Sequence, residues 1–384
     1  MSDVVRFAVV GCGVIGRVHA EVLAAGRHGT AVTVLVDADP TAARAVAAEV
    51  VVPLGGTRPA VVGSLGEALA RGDVDAVVLC VPTGARAPLA VEVLRAGRHL
   101  VVEKPLEASV GAARTIAGVA AAHPGAVASV ISQHRFDPSS AAVHEAVAAG
   151  RLGRLTSAVA SVPWWRGQSY YDSAGWRGTR GHDGGGALLN QGVHTLDLLL
   201  WFMGRPVEVS ARTALLVHER IEVEDAVAAV VVFESGALAT VHATTAAYPG
   251  LGARLQVMGD RGTAVLEGDR LVYLHSADHP SVVGSGPVRD RGLGGGGNQA
   301  PEPASEPEPE PEPGRGGRPV SPMFAGHDRQ YEDVVDAVRT GRPPGVTVTD
   351  GLLALATAHA VYESARTGAA VSVDDVLDAR AAAG

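Results

Sequence analysis

Lysine is nearly missing from this chain, and cysteine almost as scarce. Of the 32 basic residues among 384, only Lys104 is a lysine. Exposed arginine and lysine replace each other cheaply. A position that keeps lysine against such a bias needs what arginine cannot supply, a compact ammonium whose pKa burial lowers. Two cysteines, Cys12 and Cys80, build neither a disulfide framework nor a cysteine-based metal site, and no metal is expected. No apolar run approaches the roughly 18 residues of a membrane span, and MSDVVRF enters a strand pattern at once, leaving no room for a signal peptide. The cytoplasm is the expected compartment. Positive charge is short as well: a formal net charge of -9 argues against nucleic acid or an anionic lipid surface as partner.

What the chain does have is apolar material, 47% against 19% charged, enough for two domains at about 150 residues each or somewhat more. From residue 5 to 131, short β-rich runs (VRFAVV, VTVLVD, DAVVLCV, RHLVVE, AVASVIS) alternate with helical patterns. That rhythm predicts a doubly wound parallel α/β sheet over residues 1–131. Asp39-Pro40 and the Ser64/Glu67 capping box open two of its helices. Beyond 132, consecutive strand candidates at 155–162, 207–217, 226–233, 238–246, 254–258, 263–266 and 271–274 predict a largely antiparallel sheet in an α+β domain over 132–384. The glycine-rich and PEPASEPEPEPEP stretch at 284–319 has almost no large apolar side chains and reads as a disordered insertion.

Three constellations carry chemistry. The first strand runs into GCGVIG, which places Gly11, Gly13 and Gly16 at a strand-to-helix turn, with Val14 and Ile15 between them. These are the dinucleotide fingerprint positions: a tight turn, a close approach to pyrophosphate and a close helix contact. Asp37 follows Gly16 by 21 residues at the end of the second strand, where its carboxylate would accept the ribose hydroxyls and repel a 2′-phosphate. NAD is favoured over NADP. The second is Glu103-Lys104-Pro105 after RHLVVE, at the carboxyl edge where open sheets bind ligands. In the third, DGGGALLNQGVHTLDLLLWFMG, helical spacing sets Asn190, His194, Asp197 and Trp201 on one face, after three glycines that would let another molecule approach. The four tryptophans all lie between 164 and 201, around SVPWWRGQSYYDSAGWRGT. Trp164, Trp165, Tyr170, Tyr171, Trp176 and Arg177 there suit stacking on a sugar ring, or sealing a join between domains.

In combination, GCGVIG, CVPTGA, GRHLVVEKP, SQHRFDP, WRGT, GGGALLNQGVHTLD and the terminal GHDRQYEDVVDAVRTGRPP resemble the Gfo/Idh/MocA family, the glucose-fructose oxidoreductase and inositol dehydrogenase relatives. The resemblance implies a Rossmann domain followed by an α+β domain with an open-faced, mainly antiparallel sheet, one face of which commonly makes homo-oligomer contacts, a dimer or tetramer. It implies Lys104 and His194 as the catalytic pair, with Asn190 beside them. It places Val81, Pro82, Thr83 and Glu103 at the cofactor, and Arg135, Tyr171, Trp176 and Arg177 at the substrate. The substrate would be a sugar, a polyol or an inositol-like secondary alcohol. Many relatives carry Asp at the Asn190 position and His at Arg86. Since Asn190 cannot take a proton, acid–base work rests on His194 and Lys104. An NAD-dependent dehydrogenase acting on CH–OH is the expected activity. The alternatives are an NAD-binding sensor without turnover and an NAD-dependent glycosidase on the same fold.

Overall fold

The computed structural model describes residues 4–181, 183–277 and 324–379, so the insertion expected at 284–319 lies outside the described residues. The strands Val5–Val10 (β1), Thr30–Val36 (β2), Ala60–Val62 (β3), Ala76–Leu79 (β4), His99–Val102 (β5) and Ala128–Val130 (β6) form one parallel sheet in the order β3-β2-β1-β4-β5-β6. Val14–Ala24 (α1), Pro40–Val46 (α2), Leu65–Leu69 (α3), Arg86–Arg95 (α4) and Val110–Ala122 (α5) connect them. Helices on both faces bury the middle strands completely, which is why AVVL in β4 is apolar without alternation. The expected caps are present: Asp39 accepts from the Thr41 amide with Pro40 in the first turn, and Ser64 accepts from the Glu67 amide. The sequence pattern missed β3, an edge strand whose apolar run, AVV, is only three half-buried residues long. Strand order reverses between β1 and β4, and their carboxyl ends open a crevice there.

The remaining elements are Pro138–Ala148 (α6), Leu155–Pro163 (β7), Gln168–Asp172 (α7), Val193–Met203 (α8), Pro206–Ala214 (β8), Ala226–Phe233 (β9), Leu238–Thr244 (β10), Arg254–Gly259 (β11), Gly262–Glu267 (β12), Arg270–Ser276 (β13), Ala325–Thr340 (α9), Val348–Thr367 (α10), Val371–Ser372 (β14) and Val373–Asp378 (α11). The eight strands order as β13-β12-β11-β7-β10-β9-β8-β14, antiparallel throughout except for the parallel pair β7 and β10. Period-two alternation leaves one face of this sheet open, with Val230 and Leu238 exposed, while Val209, Ala229 and Val231 turn inward onto α8 and α10. α9 goes elsewhere. Its Tyr331, Val334 and Val335 pack with Phe7 and Val9 of β1, and the Tyr331 ring meets Phe7 edge-on at 5.7 Å. A segment from beyond the second sheet thus completes the core beneath the first. Among the described residues, no helix is long and apolar enough to cross a membrane.

Candidate active site

A cavity of about 890 Å³ occupies the crevice at the β1/β4 reversal and extends to the start of α8. Its floor is the glycine turn. Gly11 has φ +91°, and a Cβ there would lie 2.7 Å from the Cys80 carbonyl oxygen; one on Gly16 would lie 1.8 Å from the Gly11 carbonyl oxygen. Both positions therefore admit only glycine. Gly13 differs: a Cβ on it would meet nothing within 4 Å. Here glycine keeps open the space before the α1 N-terminus, as a pyrophosphate would require. Val14 and Ile15 line the same floor, and Val81, Pro82 and Thr83 the adjacent wall. Asp37 stands at the cavity with Oδ2 accepting from the Cys12 amide at 2.7 Å and Oδ1 from the Asp39 amide at 2.9 Å. These bonds fix its carboxylate and leave further lone pairs for hydroxyl donors.

The opposite wall carries Lys104, Asn190 and His194. Lys104 leaves the end of β5 and its Nζ donates to the Asn190 carbonyl oxygen at 3.0 Å, tying the ammonium to the wide helical turn Ala187–Gly192 that leads into α8. Burial lowers the Lys104 ammonium from its ordinary value; Glu103 opposes this and the Arg86 charge adds to it. His194 is held well below the ordinary imidazole range by burial first, then by Lys104, His134 and His327. Asn190 Nδ2 donates to Asp183 Oδ1 at 3.0 Å, so the amide contacts a carboxylate on the same wall. Glu103 is buried beneath the lysine. Its Oε1 meets His19 Nε2 at 2.9 Å, and its Oε2 accepts from the Lys104 amide at 2.9 Å. Burial alone would raise this carboxyl, but the His19 bond and the charges of His19, Lys104 and Arg86 bring it to about 2.

Several expected site residues stand elsewhere. Arg135 is not at the cavity: its guanidinium grips Asp197 with two bonds of 2.8 and 2.7 Å and reaches Asp350 at 3.3 Å, a buried ion pair joining the turn Gln133–Phe136 to α8 and α10. Tyr171 is buried against His218, its hydroxyl 2.9 Å from Thr245 Oγ1. Trp176 and Arg177 do line the cavity, with the guanidinium 4.6 Å over the Trp176 ring and 4.3 Å over that of Tyr170. Trp201 instead stacks on His144 at 3.9 Å, and Trp165 packs beside His218 and Tyr248. Of the three glycines, Gly185 and Gly186 admit the protein's own chain rather than another molecule: added Cβ atoms would strike the Tyr362 hydroxyl at 2.3 Å and the Glu224 carbonyl oxygen at 1.9 Å. Arg86 spends its guanidinium on the carbonyl oxygens of Val81, Glu103 and Pro105.

Gln133, Asp183 and His327 also line the cavity; each lies within a motif the sequence marks (SQHRFDP, DGGGALLNQGVHTLD and GHDRQYED), yet none stood out there as a site residue. His327 comes from α9 and is buried; its Nδ1 has no hydrogen-bond partner, and burial holds the ring at about 4. Among the described residues, two trios bring ligand-type atoms within 4.8 Å of one another, His19/Glu103/His327 and His134/Asp137/Asp269. In both, an imidazole already bonds a carboxylate, and neither arrangement requires a cation.

Residues 5–130 match the family model described as oxidoreductase family, NAD-binding Rossmann fold, and residues 140–265 the one described as GFO/IDH/MocA C-terminal domain. An inositol 2-dehydrogenase of Rhizobium meliloti is 29% identical over 71% of this chain and 78% of its own length. The myo-inositol dehydrogenase Hyg17 of Streptomyces leeuwenhoekii is 31% identical over 66% of this chain and 74% of its own. The crystal structure of the WlbA dehydrogenase from Bordetella pertussis, in complex with NADH and UDP-GlcNAcA, superposes with a TM-score of 0.76 at 29% identity, covering 96% of this chain and 98% of that one.

Proposed function

The chain belongs to the GFO/IDH/MocA family of NAD-binding oxidoreductases, and from that premise we propose that it oxidises a secondary alcohol of a sugar, polyol or inositol-like substrate to the ketone, or runs the reverse reduction. NAD, when bound, supplies the hydride chemistry. The fingerprint turn fits that group through the open space at Gly13, and the fixed carboxylate of Asp37 suits ribose hydroxyls. The unpartnered Nδ1 of His327 offers a polar contact at the cavity's other end.

One observation carries the reading: the ammonium of Lys104 is bonded to the same helical turn that presents His194 to the cavity. With both groups lining the cavity, one reacting oxygen would meet them together. His194, kept neutral by burial, accepts the hydroxyl proton at its imidazole; Lys104 donates to the oxygen as it gains carbonyl character. Asn190 orients a neighbouring hydroxyl, and Trp176 with Arg177 forms the rim on which a ring would stack. The open sheet face, with Val230 and Leu238 exposed, is the surface through which copies of the chain would associate.

The test is NADH formation across a panel of about thirty sugars, inositols and nucleotide sugars, with NAD affinity measured separately by calorimetry. The expected result is turnover with some panel member, reduced by at least ~100-fold in His194→Asn while NAD affinity holds. Tight NAD binding with no NADH from any compound would overturn it.

A further inference from the structure

His134 is used by none of this chemistry, yet its ring lies beside that of His194. The two meet edge-to-face, with centroids 5.0 Å apart and planes at 79°. Behind His134 stand two carboxylates. Asp137 Oδ2 lies 2.8 Å from its Nδ1, and Asp269, at the exposed tip of the β12–β13 hairpin, lies 3.4 Å away. The other oxygen of Asp137 is 3.5 Å from Arg329 of α9. A histidine with two carboxylates on one side and a buried imidazole on the other is built to hold a proton and to show its positive charge inward.

We propose that His134 is a positioning residue for the reaction: clamped by Asp137 and Asp269, it fixes the His194 ring edge-on and adds its charge to the burial and the Lys104 ammonium that favour the free-base form. The inference rests on His194 being the base. The charged and titratable groups around His134 are Asp137 just before α6, Asp269 on the hairpin, Lys104 after β5, and Arg329 and His327 on α9. Burial and Lys104 pull the His134 proton off; the Asp137 bond and both carboxylate charges outweigh them and raise it above the ordinary imidazole value. On the other face, His194 has no carboxylate within hydrogen-bonding distance among the described contacts, and its ionised neighbours are cations. A proton therefore sits on His134 before it sits on His194. Without His134, Lys104 would be the main remaining charge opposing protonation of His194.

The experiment reads the His194 ring itself. Its imidazole Cε1–H signal is assigned by its absence in His194→Asn and followed by NMR against pH in the NAD-bound protein. His134→Phe keeps a ring at the edge-to-face contact but removes the charge; His134→Gln removes both; His134→Arg keeps a fixed charge. The His194 titration should move up by about half a unit or more in the Phe and Gln variants. In the Arg variant it should stay near the unaltered value. The acid limb of the rate profile should follow the same order. A titration unchanged in His134→Phe, or one that moves in His134→Arg as much as in His134→Phe, overturns the proposal. If His134→Gln does not fold, the Phe and Arg variants decide alone. A His194 titration that shifts as expected while the rate profile stays still supports His134 as the group that sets the ring's charge, and instead removes His194 as the base.

Discussion

Lys104 and His194 are pushed the same way by burial, with opposite consequences for rate. Lowering an imidazole favours the neutral base, and lowering an ammonium brings the loss of its proton closer to neutral pH. In the proposed mechanism, alcohol oxidation needs neutral His194 and charged Lys104. Its rate should thus rise with pH through a value below the ~6.5 of free imidazole, and fall again as Lys104 loses its proton below the usual ~10.4. Burial and the charges of Lys104 and His134 place the rise below that free value. Lys104→Arg should flatten the alkaline fall, because guanidinium does not titrate there, and should reduce turnover by at least ~100-fold, since its planar fork cannot take the place of the ammonium. Initial rates against pH for the two proteins make the comparison. Unchanged turnover in the arginine variant would make the single lysine an accident of composition.

Among the elements, α8 departs most from what its pattern suggests. Asn190, His194, Asp197 and Trp201 do follow helical spacing, but the stripe serves two places. Asn190 and His194 face the cavity; Asp197 and Trp201 lie farther along the helix, at 1.5 Å per residue, beneath the turn Gln133–Phe136. There Asp197 takes Arg135 in two hydrogen bonds and also accepts from Ser132, and the Arg135 guanidinium lies 5.5 Å over the Trp201 ring. The pair is structural. Removing one partner leaves a buried charge uncompensated, so Arg135→Gln should lower stability by about 3–5 kcal/mol. Chemical denaturation measures that loss, and NAD affinity of the folded variant should change little. A nearly neutral change in stability, together with weakened substrate binding, would return Arg135 to the substrate site.

At the scale of the molecule, the cavity depends on segments far apart in the chain. The turn at residue 11, the strand end at 104, the helix start at 194 and α9 at 327 all line it. Tyr331 of α9 bonds His19 of α1 at 2.7 Å, and His19 in turn bonds Glu103 beneath Lys104. This buried chain of bonds runs under the cavity and joins the last third of the sequence to the first. Asp37 stands where the proposed reading puts the adenosine of the dinucleotide. Asp37→Ser should weaken NAD binding and relax the discrimination against NADP, since it removes both the acceptor for ribose hydroxyls and the charge that repels a 2′-phosphate. Titration with each dinucleotide tests this, and an unaltered protein that prefers NADP would refute the assignment of strand β2.

Period and punctuation carried the architecture. The parallel strands are apolar runs between helices, the second sheet shows its face in alternation, and GCGVIG with Asp37 names a dinucleotide turn because those conformations exclude most other residues. Lys104, Asn190 and His194 were legible for a related reason: each departs from what its surroundings would select. Local pattern holds no record of which distant side chain arrives. Arg135 reads, by resemblance, as a substrate residue until Asp197 and Asp350 close on it, and three glycines read as a ligand approach until Tyr362 and Glu224 take the space. His134 and His327 lie in the SQHRFDP and GHDRQYED motifs, which give neither a role; packing of α8 and α9 makes one a neighbour of His194 and leaves the other with an unsatisfied nitrogen. Backbone conformation is chosen within a few residues. The charge, burial and partners of a side chain are chosen only when helices and sheets from the whole chain have met.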